Sequence, residues 1–220
     1  MTKDKIVTAD EAVAIIRDRD TVCTSGFVGI GTPDELLIAL EKRFRETRHP
    51  SDLTLMFAAA PGDAADRGLN RLAHDGLLKR VVGGHWALVP KLGELALANR
   101  IEAYNLPLGC ISHLYRNIAA RGPGVISKVG LKTFVDPRLQ GGKLKERTTE
   151  DLVELMRIKD EEWLRYKSSP INVALLRGTT ADPAGNITME REALTLDNLA
   201  MAMAAKNSRG FVIVQVERIA

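Results

Sequence analysis

The chain is 220 residues long, 45% hydrophobic and 27% charged, with a formal net charge of +3. That composition excludes a disordered or fibrous polymer and leaves ample apolar material for a buried core. The small cationic excess is dispersed, which argues against a nucleic-acid face but suits phosphorylated or carboxylate-bearing small molecules.

The start, Met1-Thr2-Lys3-Asp4-Lys5, is polar and lacks the apolar centre of a secretion signal. Thr8 or Asp10 is placed to cap a helix that turns Ala12, Val13, Ile15 and Ile16 toward a core. Asp20 to Thr24 reads as a short buried strand, ending in a glycine-rich turn from Ser25 to Thr32. Pro33 suits the first turn of the next helix, with Thr32 as cap, Glu35 reaching back, and Leu36, Leu37, Leu40 and Phe44 inward. Strands are predicted over 52–57 and 80–82, the second followed by Gly83-Gly84. Helical patterns follow around 91–98 and 109–121. The glycine, proline and charge-rich stretch from about 122 to 150 shows little periodicity and reads as a long ordered loop. A buried strand over 171–176, a turn over 182–186, a helix over 194–206 and a β-prone strand over 211–216 complete the chain.

This alternation predicts an α/β fold, an open and mostly parallel sheet flanked by helices, as one domain over residues 1–220. A strand so close to Ala220 leaves an open edge, so the sheet is expected to be truncated after its last strand. Cys23 and Cys110 are too few for a disulfide framework and have no metal-ligand spacing, which points to a reducing, cytoplasmic setting and no metal. No run approaches the roughly 20 apolar residues of a membrane-spanning helix.

The strongest local signal is Ser25-Gly26-Phe27-Val28-Gly29-Ile30-Gly31-Thr32-Pro33, between a strand and a helix. Its glycines let main chain approach a ligand and expose amides there, and the helix start adds a positive dipole end. The glycine spacing matches neither the dinucleotide fingerprint nor the Walker loop. Three readings remain open on these residues alone: a phosphate cradle, an oxyanion hole, or a tight βα turn.

Gly26-Phe27, then Gly31 and Pro33, resembles the first signature of family I coenzyme A transferases, with Ser25 where that signature starts on a further glycine. The fused acetate and propionate branch is similar at Gly83-Gly84-His85-Trp86, Tyr104-Asn105-Leu106-Pro107, Ile111 to Arg116, Gly122-Pro123-Gly124, Thr133 to Arg138, Gly141-Gly142-Lys143 and Arg147 to Asp151. The likeness runs from residue 5 to 219 and implies the amino-terminal, alpha-type half of such an enzyme, on the scaffold shared with sugar-phosphate isomerases and deaminases. It implies ping-pong transfer between short carboxylic acids through a glutamyl-CoA thioester, with CoA and acyl-CoA as substrates and no permanent cofactor. It implies that the nucleophilic glutamate lies in a missing carboxy-terminal half or beta-type subunit, and that the complete enzyme is a homo-oligomer. Glu94, Glu102, Glu150, Glu190 and Glu217 lack that glutamate's context and read as surface or helix-end residues, so this chain alone is expected to be inactive.

On the same resemblance the stretch Gly26, Phe27, Val28, Gly29, Ile30 and Gly31 would bind the substrate carbonyl, with amides near Val28 and Gly29 as oxyanion donors. Ala60, Pro61, Pro107, Leu108 and Gly109 would form the acyl or carboxylate pocket. Relatives commonly carry glutamines where this chain has Pro61 and Leu108, which is consistent with a larger apolar acyl group or with drift. Lys143, Lys145 and Arg147 are candidate contacts to CoA phosphates. His85 and His113 read as structural, since an ionised carboxylate needs no general base, and Trp86 as a core or interface residue. The alternatives are a non-catalytic binding or assembly module and a sugar-phosphate isomerase or deaminase relative.

Overall fold

A computed structural model describes residues 5–220; the polar start at residues 1–4 lies outside the described residues. The first helix, α1 (Ala9–Val13), opens on a reciprocal cap: the Glu11 amide donates to Thr8 Oγ1 and the Thr8 amide to Glu11 Oε2. It stops earlier than its apolar pattern suggests, so Ile16 is buried but Ile15 is 36% exposed.

Six strands form one parallel sheet: β1 (Thr21–Thr24), β2 (Leu53–Phe57), β3 (Leu78–Gly83), β4 (Glu102–Asn105), β8 (Val173–Arg177) and β11 (Phe211–Gln215). Their spatial order is β11-β8-β1-β2-β3-β4. Chain order runs outward from β1 in one direction and resumes on its other side at β8, so the β1/β8 junction is a topological switch point.

Helices cover both faces. Val22, Leu55, Val81, Ala103 and Leu175 pack under α1, α2 (Asp34–Thr47) and α3 (Pro90–Leu97). Cys23, Met56, Val82, Ala174 and Leu176 pack under α4 (Leu108–Ala119) and α5 (Asn198–Asn207). Adjacent strand residues alternate between two apolar layers, which is why these strands read as near-continuous hydrophobic runs.

Three departures from the sequence reading have physical causes. The region taken as one long loop contains β5 (Gly124–Ser127), which joins β6 (Val153–Ile158) and β7 (Glu161–Lys167) in a separate antiparallel sheet, ordered β5-β7-β6. Helix α5 begins at Asn198 rather than Leu194, because Leu196 takes a left-handed backbone and Asp197 stands at the cap, where it accepts from Ser112 Oγ at 2.6 Å. Helix α2 begins at Asp34, with Pro33 at the cap and no capping side chain of its own. Its Glu35 amide instead donates to Gln215 Oε1 at the end of β11, 180 residues away. Strands β9 (Thr180–Ala181), β10 (Ile187–Thr188) and β12 (Arg218–Ile219) form a third, small sheet. Strand β11 is an edge of the main sheet, with Phe211 and Val212 exposed.

Candidate active site

Because all six main strands are parallel, the segments leaving their carboxyl ends share one rim. The turn after β1 emerges there beside the switch point, where open α/β sheets place ligands.

That turn is built against the segment after β2. Gly26 has φ +132°, and a Cβ there would lie 2.5 Å from Pro61 Cβ, so only glycine fits. Val28 sits at φ 57°, a costly conformation for a β-branched residue, worth about 1–3 kcal/mol. Both of its backbone groups are pinned. The Val28 amide donates to Ala60 O at 3.1 Å, while its carbonyl accepts from the Gly62 amide at 3.0 Å and from Thr32 Oγ1 at 3.1 Å. Thr32, expected as a helix cap, therefore braces the turn instead. Phe27 and Ile30 exchange amide hydrogen bonds at 2.9 Å and close the loop.

The consequence falls on Gly29. Its amide has no acceptor among the described residues, it is exposed, and nothing lies within 4 Å of where a Cβ would be. Of the two amides expected to act as donors, Val28's is consumed internally and Gly29's is available. Beneath the turn the Ser25 hydroxyl is buried with no partner.

The other rim segments close in around it. Asn70 is buried and donates from Nδ2 to Arg67 O and Leu88 O, while its Oδ1 accepts from the Lys91 amide. Asp34 accepts from the Gly68 amide and from Arg71 Nε and Nη2. A Cβ on Gly84 would lie 2.4 Å from Ala58 O and 2.8 Å from Leu108 Cα, so the ends of β2, β3 and β4 meet there. The structure thus brings Gly26, Phe27, Val28, Gly29, Ile30 and Gly31 to one rim with Ala60, Pro61, Pro107, Leu108 and Gly109. Leu108 and Gly109 are exposed at the start of α4, which has no side-chain cap. Asn70, Asp34 and Thr32 were missed as braces: the partners of Asn70 and Asp34 include groups more than 15 residues away, and Thr32 turns back to the Val28 carbonyl four residues earlier instead of capping α2.

Lys143, Lys145 and Arg147 lie elsewhere. Residues 142–148 run alongside β4, the far edge of the sheet, with the Asn105 amide donating to Gly142 O and the Leu144 amide to Ala103 O. Lys143 Nζ pairs with Asp151 at 2.5 Å, and the Arg147 amide donates to Asn99 Oδ1 near the amino end of β4. Their position beside β4 separates these cations from the turn by two intervening strands.

Four of the five glutamates considered have charged partners. Glu102 and Glu150 share Arg80, each at 2.5 Å. Glu190 accepts from Thr180 and Thr188, each at 2.5 Å, and from Arg218; these hydroxyls first, with the guanidinium, bring its pKa down to about 2. Glu217 pairs with Arg191 at 3.4 Å, and Glu94 is exposed on α3. The side chains of His85 and His113 are exposed and have no hydrogen-bond partner among the described residues. Trp86 packs edge-on against Phe57 at 6.0 Å between centroids, in keeping with a core residue. Among the described residues no three His, Cys, Asp or Glu side chains converge to hold a metal, and no helix is long and apolar enough to cross a membrane. The rim offers a preorganised main-chain donor beside a helix start: an arrangement for an oxyanion.

Comparisons with known proteins bear on what such a rim serves. A family model described as coenzyme A transferase matches residues 6–220. The chain is 48% identical over 213 residues to caffeate CoA-transferase of Acetobacterium woodii, covering 97% of this chain and 41% of that protein. It is 42% identical over 215 residues to an acetate CoA-transferase of Escherichia coli K12, covering 97% of this chain and 40% of that protein. The fold matches the acyl-CoA transferase of E. coli O157:H7 in a thioester complex with CoA, at a TM-score of 0.97 and 41% identity, over 99% of this chain and 43% of that one. The chain therefore spans about two fifths of the length of these relatives.

Proposed function

Since this chain belongs to the coenzyme A transferase family, we propose that it forms one wall of an acyl-CoA and carboxylate site in a longer enzyme. That enzyme moves CoA between carboxylic acids, and its attacking glutamate comes from the rest of the enzyme or from a beta-type partner subunit. The observation that carries this reading is the unengaged amide of Gly29, held outward by a strained and doubly anchored Val28.

The chemistry requires such a donor. The glutamate carboxylate adds to the thioester carbonyl, and the tetrahedral oxyanion collapses with cleavage of the C–S bond to give a mixed anhydride and CoA thiolate. The thiolate then attacks the glutamyl carbonyl of the anhydride; the C–O bond breaks, the first acid leaves as carboxylate, and a glutamyl-CoA thioester remains. A second acid reverses these steps. Each tetrahedral state carries an oxyanion, which the Gly29 amide stabilises without reorganising. The switch-point location and the packing of Pro61, Gly84 and Leu108 around the rim support the same site. We read the working form as a homo-oligomer in a reducing, cytoplasmic compartment; both cysteines are buried and unpaired.

The test uses the full-length enzyme. Incubation with acyl-CoA followed by borohydride should reduce a glutamyl thioester, read by intact mass. Gly29→Ala keeps the amide and meets open space, so it should stay near wild-type rate. Gly29→Pro removes the amide and should lower kcat about 100- to 1,000-fold. Equal rates for the two variants would refute the donor role.

A further inference from the structure

The turn that presents Gly29 is anchored unevenly. On its entry side Val28 is bonded to Ala60, Gly62 and Thr32. On its exit side Gly31, buried at φ 61°, makes no hydrogen bond among the described residues. Packing holds it instead. The point where a Gly31 Cβ would stand is 2.9 Å from Leu196 Cδ1, and among the described residues no other atom beyond its chain neighbours lies within 4 Å of that point. A methyl group from the segment before α5 thus fills the space that a side chain at position 31 would need.

Leu196 reaches that place on a strained backbone, at φ 49°, a conformation an ordinary side chain keeps only where its surroundings enforce it. Its neighbours supply the enforcement. Asp197 accepts from Ser112 Oγ at 2.6 Å and from Arg116 Nη1 at 3.3 Å, both on α4. Asn198, buried at the start of α5, donates from Nδ2 to Arg177 O at the end of β8, at 2.7 Å. Further back, the Glu192 carboxylate accepts from Arg177 Nε at 3.0 Å. We propose that Leu196 is a positioning residue for the transferase reaction: clamped through Asp197 and Asn198, it steadies Gly31 and thereby the direction of the Gly29 amide two residues earlier. The proposal rests on the reading of Gly29 as the oxyanion donor. Such a donor helps only when its aim is set before charge develops, so a turn bonded on one side and packed on the other depends on both. Leu196 acts through the main chain of the turn.

The experiment compares wild type, Leu196→Asn and Leu196→Met in the full-length enzyme, with acetyl-CoA as donor and propanoate as acceptor. Asn takes the left-handed backbone readily, so the first variant keeps the fold while removing the methyl groups. Met keeps an apolar chain of similar reach. Leu196→Asn should lower kcat about tenfold with KM held within about twofold, and Leu196→Met should stay within about twofold of wild type. A purely structural role would lower the number of active sites, counted by mass as borohydride-trapped thioester, and leave the rate per trapped site unchanged. Added to Gly29→Pro, Leu196→Asn should cost less than about twofold more, because the amide it aims is gone. An unchanged rate per trapped site in Leu196→Asn, a Met variant as slow as the Asn one, or a full further loss in the Gly29→Pro background would overturn the role of Leu196 while leaving the thioester site standing. Absence of any trapped thioester in wild type, or a Gly29→Pro enzyme of undiminished rate, would instead bring down the reading on which it rests.

Discussion

The two larger sheets of this protein solve the burial problem in opposite ways. The parallel sheet is covered on both faces, and four of the five residues of β8, Val173 to Leu176, are buried. In the antiparallel sheet, β6 buries only Val153, while Glu154 crosses to Arg165 and Lys167 at 3.1 and 2.8 Å. Lys128 stacks over Trp163, and Tyr166 Oη donates to Val129 O at 2.6 Å. The parallel sheet therefore derives its stability from apolar area, and its carboxyl rim inherits a rigid base. The antiparallel sheet anchors Val153, Leu164 and Tyr166 in the core under α4, and most of its other positions carry pairs in contact with water, each of modest worth. It packs beside α4 rather than at the rim, where exposed positions such as Ile126 and Val129 can change without disturbing the main core.

Mutations can break or sharpen that contrast. The largest effect is expected for Phe57→Ala, which opens a fully buried site beneath the rim and should cost about 3–5 kcal/mol in urea titrations. An intermediate effect is expected at Asp136, whose buried carboxylate, through Arg138, joins the segment between β5 and β6 to β7. It accepts from the Lys132 and Arg138 amides and from Arg138 Nε and Nη2, and Arg138 continues to Glu162. Asp136→Asn should cost about 2 kcal/mol at neutral pH. The Arg138 guanidinium, with those amides, holds the Asp136 carboxyl well below the usual range. A lowered folded pKa means its stabilisation is present above the unfolded value of about 3.9 and is lost as pH falls below it. The gap between wild type and Asp136→Asn should accordingly close in titrations run below about pH 4. The smallest effect is expected for Glu154→Ala, within about 0.5 kcal/mol and smaller still in high salt. A loss at Glu154 matching that at Phe57 would erase the distinction.

The same contrast explains what could be read from the residues. Strands buried on both faces announce themselves as short apolar runs, so β1, β2, β3 and β8 were legible, as were the equally apolar edge strand β11 and the glycine turn that ends β1. The hairpin of β6 and β7 was not. Its two-residue turn, Lys159-Asp160, carries no glycine although Lys159 takes φ 54°, and its strands interleave charges with apolar residues. At the candidate site, the need for glycine at 26 was visible in sequence. The diversion of Val28's amide to Ala60 was not, because it depends on a loop 32 residues further along the chain. Lys143 looked like a free cation in one dimension; in three it already has Asp151.

The hydrogen bond from Glu35 to Gln215 has a consequence for biosynthesis. The residue that satisfies the start of α2 is made 180 residues after it, or about 10–40 s later at ribosomal rates of about 5–20 residues per second. Until then the sheet also lacks its edge strand β11, and the glycine turn after β1 hangs from an incomplete sheet. A nascent chain arrested before Phe211 should therefore hold that turn more loosely than one extended past Gln215, however well its first four strands have joined.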